Sequence, residues 1–72
     1  MSLQRRDLII VERYSMLGQP RYRIQVAGTN IVFNVSAEND EEAIEKALVL
    51  AEKIGLSKSI VEAIKRHIKE YS

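Results

Sequence analysis

The sequence predicts an α+β domain in which a three-stranded antiparallel β-meander is followed by two α-helices packed on one face of the sheet, in the order βββαα. Three observations support this prediction. The first half of the chain alternates apolar and polar residues with the period of strands. The second half repeats apolar residues with the period of helices. The 72 residues suffice for one domain, residues 1–72, and are too few for two.

The first strand is expected at residues 7–14, after a flexible tail at residues 1–6. It contains four consecutive apolar residues, Leu8, Ile9, Ile10 and Val11. Successive side chains of a strand point to opposite faces of the sheet, so two of the four must face away from the helices. The pattern leaves the register open: the outward pair is either Leu8 and Ile10 or Ile9 and Val11.

The second and third strands form the hairpin with the strongest sequence signal. Residues 21–27 and 30–37 alternate, and Gly28-Thr29 between them suits a two-residue turn that starts with glycine. This turn fixes one register, in which the apolar side chains of both strands share one face. They are Tyr22, Ile24, Val26, Ile31, Phe33 and Val35.

Capping residues delimit the two helices. Asn39 is the expected N-cap of the first helix, with Glu42 three residues later, and Gly55 is expected just after its end. The second helix is expected to start at Ser57 or Ser59. The helices are expected to complete the core with one apolar stripe each. These residues are Ile44, Leu48, Ile54, Ile60, Ile64 and Ile68.

Residues 35–46 lead from the third strand into this first cap. The stretch resembles the strand-to-helix corner of the archaeal ribosomal protein LX family and of HicB-like antitoxins. In LX-type sequences a strand follows the helix, whereas the pattern here predicts a second helix. The resemblance is confined to a capping motif, so it implies no functional residue in this chain.

Composition excludes several classes of site. Cysteine is absent and His67, at the border of the second helical stripe, is the only histidine, which leaves few metal ligands or nucleophiles. The three glycines lie too far apart for a phosphate-binding loop. The acids at residues 38–42 match a helix N-terminus. We therefore expect a protein that is not an enzyme and that takes no cofactor, metal or small-molecule substrate.

The longest apolar runs are too short to span a bilayer, and no signal peptide is apparent, so we expect a cytoplasmic protein without membrane contact. Its richness in Ile, Glu and Lys predicts a thermophilic source.

The first predicted function is a small interaction or accessory module. Two outward apolar residues of the stretch Leu8, Ile9, Ile10 and Val11 would form a patch that monomers avoid, so we expect a homodimer or a protein partner there. A loop or tail folded over the patch is the competing interpretation.

The alternative is a nucleic-acid-binding module. Residues 1–36 carry five arginines and two acids, whereas residues 37–56 carry six acids and two lysines. Arginines on an open sheet face can hold phosphates in bidentate fashion. The residues expected to contribute are Arg5, Arg6, Arg13, Arg21, Arg23 and Asn34. A cross-strand pair between Glu12 and Arg23 on an ordinary solvated face is the competing interpretation.

Overall fold

The computed structural model describes the backbone of residues 2–71 and the side chains of residues 2–66, and it confirms the predicted βββαα order. A short 3-10 turn at Arg5–Asp7 precedes the sheet. The strands are β1 (Leu8–Met16), β2 (Gln19–Val26) and β3 (Val32–Ser36), in the spatial order β1-β2-β3. The helices are α1 (Asp40–Lys53) and α2 (Lys58–Tyr71). The predictions for His67 and Ile68 fall outside the described side chains.

The β2–β3 hairpin has the predicted register, which pairs Ile24 with Phe33 and extends along both strands. The predicted two-residue turn is wrong: the N–H of Val26 donates to Ile31 and the N–H of Thr29 to Val26, so the loop comprises residues 27–30. Gly28 adopts a φ of 77°, a conformation that glycine accepts without a steric penalty. The buried Thr29 hydroxyl donates to the carbonyl of Val26 and accepts from the N–H of Ile31. The turn therefore satisfies its own polar groups and fixes the register of the sheet.

The core lies between the sheet and the helices, with the central strand at its middle. Ile24 and Val26 of β2 are fully buried. A ridge of three alanines in α1 packs against the core face of the sheet, and Val61 from α2 joins the same cluster. The alanines are Ala43, Ala47 and Ala51. Small side chains at these positions let the helix backbone lie close to the strands.

The helical part of the predicted core needs correction. Ile54 is 65% exposed because it is the C-cap of α1, where the chain leaves the sheet. Ile60 is also exposed, and the buried position on α2 is its neighbour Val61. One residue turns a helix by about 100°, so the buried face of α2 is rotated from the predicted stripe. Ile44 and Leu48 are half-buried beside the alanine ridge.

The first residues of the chain fold onto the domain, which differs from the flexible tail expected at residues 1–6. Leu3 is buried in the core cluster, and Ser2 forms an isolated bridge with Ser57 at the start of α2. The apolar side chain of Leu3 is removed from water by this contact, and that burial favours the ordered conformation.

Asp7 joins this segment to the rest of the domain. One carboxylate oxygen accepts from the backbone N–H of Gln4 at 2.8 Å, and the other lies 3.4 Å from the Lys58 ammonium of α2. The backbone carbonyl of Asp7 also accepts from the N–H of Ala27. The Gln4 hydrogen bond and the Lys58 charge favour the ionised carboxylate of Asp7. Burial acts in the opposite direction and raises the pKa, but its effect is smaller than theirs combined, so the pKa of Asp7 is lowered.

The helix caps match their sequence signals. The Asn39 side chain accepts from the N–H of Glu42 at 2.8 Å. At the other end of α1, the N–H of Leu56 donates to Ala51 and that of Gly55 to Glu52, which together form a Schellman motif. Ser57 begins α2, since its hydroxyl accepts from the N–H of Ile60, and this resolves the choice between Ser57 and Ser59.

Among the described residues, neither helix combines the length and apolar character needed to cross a membrane.

Burial predicts a large difference between two isoleucines. Ile24→Ala removes a fully buried side chain and is expected to lower the free energy of unfolding by about 2–5 kcal/mol. Ile54→Ala changes an exposed side chain and is expected to stay within about 0.5 kcal/mol of wild type. Urea unfolding followed by circular dichroism measures both. Equal effects of the two substitutions would contradict the placement of the core.

The low pKa of Asp7 predicts an acid-dependent stability. The folded state favours the ionised form, so the contribution of this carboxylate is present above about pH 4 and is lost as the pH falls through its folded pKa. Asp7→Asn is therefore expected to lower the free energy of unfolding at neutral pH and to flatten its dependence below about pH 4. Urea titrations across this range, with Glu38→Gln as an exposed control, test this. An unchanged slope for Asp7→Asn would contradict the role of the carboxylate.

Candidate interaction face of the sheet

A β-bulge at Val11 decides which side chains of β1 face the helices. Ile10 is paired with Ile24, and the next paired residue of β1 is Glu12, opposite Arg23. Val11 is therefore an extra residue without a partner in β2. Side chains alternate between the two faces on both sides of this extra residue. Ile9, before the bulge, therefore faces away from the helices, and Arg13, after it, faces toward them.

The bulge resolves the open register of the first strand. Leu8 lies in the core and Ile10 is half-buried against it, whereas Ile9 and Val11 are 48% and 47% exposed. Of the two alternatives, the structure thus has Ile9 and Val11 as the uncovered pair.

The side of the sheet away from the helices is here called the outer face. Pairing across the sheet arranges it in three rows. These rows are Ile9–Gln25–Val32, Glu12–Arg23–Asn34 and Tyr14–Arg21–Ser36, and Met16 continues β1 beyond the last row. Apolar side chains therefore occupy the borders of the outer face, and polar side chains its centre.

Arg23 forms the centre of the polar part. Its guanidinium lies 3.1 Å from the Glu12 carboxylate, and its Nε donates to the side-chain amide oxygen of Asn34 at 3.4 Å. It also lies over the ring of Tyr14, at 5.5 Å from the ring centre. The cross-strand pair with Glu12 is the one that the sequence predicts. Because the charge of Arg23 is balanced within the face, it does not oppose burial as an isolated charge would.

Arg21 differs from its neighbour. Its Nε atom is buried and makes no hydrogen bond with any described residue. A buried donor without an acceptor is unfavourable, and because this Nε has no contact with solvent, a ligand on the outer face would have to bind the other nitrogens of the guanidinium.

The predicted cluster of arginines is divided between two places. Arg5 lies 3.1 Å from Glu41 and 3.2 Å from Glu45, both on α1. Arg13, turned toward the helices by the bulge, forms a bidentate pair with Asp40 at the start of α1. Arg21, Arg23 and Asn34 lie together on the outer face. Arg6 is exposed in the 3-10 turn.

The Arg13–Asp40 pair changes the titration of both groups. Hydrogen bonds from the Arg13 guanidinium, together with its charge, lower the pKa of Asp40. The same contacts raise the pKa of Arg13. Both shifts follow from stabilisation of the charged forms.

Three exposed apolar residues next to the outer face have no counterpart in the sequence predictions. Met16 and Leu17 lie at the tip of the β1–β2 hairpin, and Val32 lies in β3. Leu17 is 99% exposed and has a φ of 52°, in the left-handed region that non-glycine residues rarely occupy. The sequence did contain a signal for the exposure of Val32: it is an apolar residue on the polar side of the alternating third strand, between Asn30 and Asn34.

No group of three or more potential metal ligands occurs within the part of the chain that the structure describes. Comparison of the chain with protein families, with curated proteins and with solved structures finds no match in any of the three.

The placement of Arg13 predicts a measurable effect on Asp40. Arg13→Gln removes the guanidinium that holds the Asp40 carboxylate, so the pKa of Asp40 should rise toward its ordinary value. Deletion of Val11 removes only the extra residue of β1; Glu12 then follows Ile10, Arg13 still faces α1, and the pKa of Asp40 should stay low. Titration of the Asp40 carboxyl by NMR measures both variants, and Arg21→Gln is the control. A pKa of Asp40 that is unchanged in Arg13→Gln, or that rises in the deletion variant, would contradict this placement.

Proposed function

We propose that this chain is a non-enzymatic interaction module that binds a protein partner, or a second copy of itself, through the outer face of its sheet. The observation that carries the proposal is the exposure of Ile9 and Val11, whereas Leu8 and Ile10 of the same apolar run lie in or against the core. Apolar side chains grouped on an uncovered sheet face favour association, since burial removes them from water.

The arrangement of charge on the outer face supports a protein as the partner. Arg23 is already paired with Glu12, and apolar residues lie on both sides of this pair. Arginine, methionine and aromatic residues are enriched in protein interfaces, and Arg23, Met16 and Tyr14 all lie on this face. Tyr14 and Arg23 stack in this centre and supply such an anchor.

Binding of nucleic acid is the second candidate, and Arg21 is the observation that favours it. Arg21 lies in a row of the outer face whose other members, Tyr14 and Ser36, carry no charge, so its guanidinium could bind a phosphate through the nitrogens other than the buried Nε. Against this, Arg5 and Arg13 are engaged by acids of α1. A cytoplasmic location stays a prediction for either function.

Substitution of Ile9 tests the first proposal. Ile9→Lys places a charge in the apolar border and is expected to abolish association, whereas Ile54→Lys, at an exposed site on the end of α1, is expected to leave it intact. Light scattering of both variants measures self-association. Co-purification from the native source, with each variant as bait, measures a protein partner. Equal behaviour of the two variants in both assays would contradict the proposal.

Salt and nuclease separate the two candidate functions. Phosphate contacts lose affinity steeply as ionic strength rises, whereas apolar association persists or strengthens. A complex that resists nuclease and high salt supports the protein-binding function. Binding to a generic oligonucleotide that is lost in high salt and in Arg21→Gln, but retained in Ile9→Lys, supports the second candidate and contradicts the first.

A further inference from the structure

A groove of about 580 Å³ runs between β3 and one flank of α1. Val35 and Ser36 line it on the strand side, and Val49 and Leu50 line it on the helix side. Val49 is half exposed, and Leu50 is only partly buried. The groove therefore presents an apolar wall beside the edge of the sheet.

The backbone of β3 is available for pairing along this groove. β3 is an edge strand. At its two ends the carbonyl of residue 31 and the N–H of residue 37 form hydrogen bonds with β2, so the backbone groups of these two residues point toward β2. Because this direction alternates along an antiparallel strand, the backbone N–H and C=O groups of Val32, Asn34 and Ser36 point to the open edge. The Lys46 ammonium donates to the Ser36 carbonyl, which agrees with this assignment.

The two edges of the sheet differ in how well they are protected. β1 contains a bulge and the charged residues Glu12 and Arg13, which are features that block pairing of an edge with another strand. The sequence of β3, from Val32 to Ser36, contains no charged residue and no proline, and its register with β2 has no bulge. The open edge of β3 is thus the one suited to strand addition.

Four charged residues of α1 line the groove, namely Glu42, Glu45, Lys46 and Lys53. Glu42 pairs with Lys46 at 3.2 Å and Glu45 with Arg5, whereas Lys53 forms no ion pair with any described residue. After a short connection, α1 runs back along β3, so Glu42 and Lys46 lie near the Ser36 end of the groove and Lys53 near the Val32 end. A second strand would share the Ser36 carbonyl with Lys46, and the unpaired Lys53 indicates which strand fits.

The helix between Glu42 and Lys53 spans about 16 Å, and the strand about 13 Å. An antiparallel copy of β3 centred on Asn34 would place Ser36 opposite Val32 of the second copy. Glu42 would then lie beside Lys53 of the second copy, and Lys53 beside Glu42 of the second copy.

We propose that β3 pairs in antiparallel fashion with β3 of a second copy around a two-fold axis at Asn34, which joins the two sheets into one of six strands. Asn34 exchanges two backbone hydrogen bonds with Asn34 of the second copy, and the Ser36 N–H donates to the Val32 carbonyl. Val49 and Leu50 of both copies close over the junction and lose their contact with water. The junction uses the backbone edge of β3, whose side chains Val32, Asn34 and Ser36 border the outer face, and it leaves Ile9 and Val11 uncovered, so the inference goes beyond the proposed function.

Asn34→Pro tests the strand pairing. The substitution removes an N–H that points away from β2, and proline is tolerated on an edge strand in that position. Wild type is expected to show twice the 8.2 kDa mass of one chain by light scattering at high micromolar concentration, and Asn34→Pro one chain mass with unchanged circular dichroism. A monomeric wild type overturns the proposal, and so does a folded Asn34→Pro variant that remains dimeric.

Charge reversal tests the register without changing the strand. Glu42→Lys and Lys53→Glu each place like charges together at both ends of the junction, so each dimer is expected to dissociate at least about tenfold more readily than wild type. An equimolar mixture of the two variants restores opposite charges and is expected to recover wild-type affinity. Failure of the mixture to recover, while both variants keep the helical content of wild type, overturns the two-fold arrangement.

Ile9→Lys separates this inference from the proposed function. A dimer that survives Ile9→Lys and is lost in Asn34→Pro uses the β3 edge and leaves the outer face free for another protein. A dimer that survives Asn34→Pro and is lost in Ile9→Lys uses the outer face, which overturns the inference and supports the proposed function.

Discussion

One extra residue in β1 determines how the charged and apolar side chains of this domain are distributed. The bulge at Val11 lets Leu8 and Ile10 fill the core while Arg13, further along the same strand, turns toward α1. Without it, strict alternation would place Arg13 on the same face as Ile9. The bulge thus ties the start of α1 to the far half of β1 through Asp40. Ile9 and Val11, which alternation from the buried Leu8 already turns outward, stay exposed to solvent.

The parts of the fold that depend on local chemistry were predictable from the sequence. The apolar alternation of β2 and β3 predicted their register, although the turn between them is longer than the two residues expected. Asn39 and Gly55 predicted the ends of α1, because cap geometry restricts which residues can occupy them. The bulge was not predictable, since four successive apolar residues are compatible with either register. Nor was the burial of Leu3, because that residue contacts partners distant in sequence.

In the candidate site too, features that depend on local pairing were predictable and features that depend on distant contacts were not. The outward position of Arg21 and Arg23 and the Glu12–Arg23 pair followed from the hairpin register. The separation of Arg5 and Arg13 from these residues depends on how α1 crosses the sheet, which no local pattern specifies. The arginines that are grouped in the sequence therefore divide in the fold: Arg5 and Arg13 pair with acids of α1, and Arg23 pairs with Glu12 on the outer face.

The contact between Asp7 and Lys58 joins residues 51 positions apart in the chain. Closing so long a loop costs conformational entropy before the contact is gained, whereas the β2–β3 hairpin and α1 form through near neighbours. Folding is therefore expected to begin in the hairpin and α1 and to end when α2 docks on the first residues. Local opening should follow the reverse order, so that α2 separates first and the sheet keeps α1 as its lasting cover.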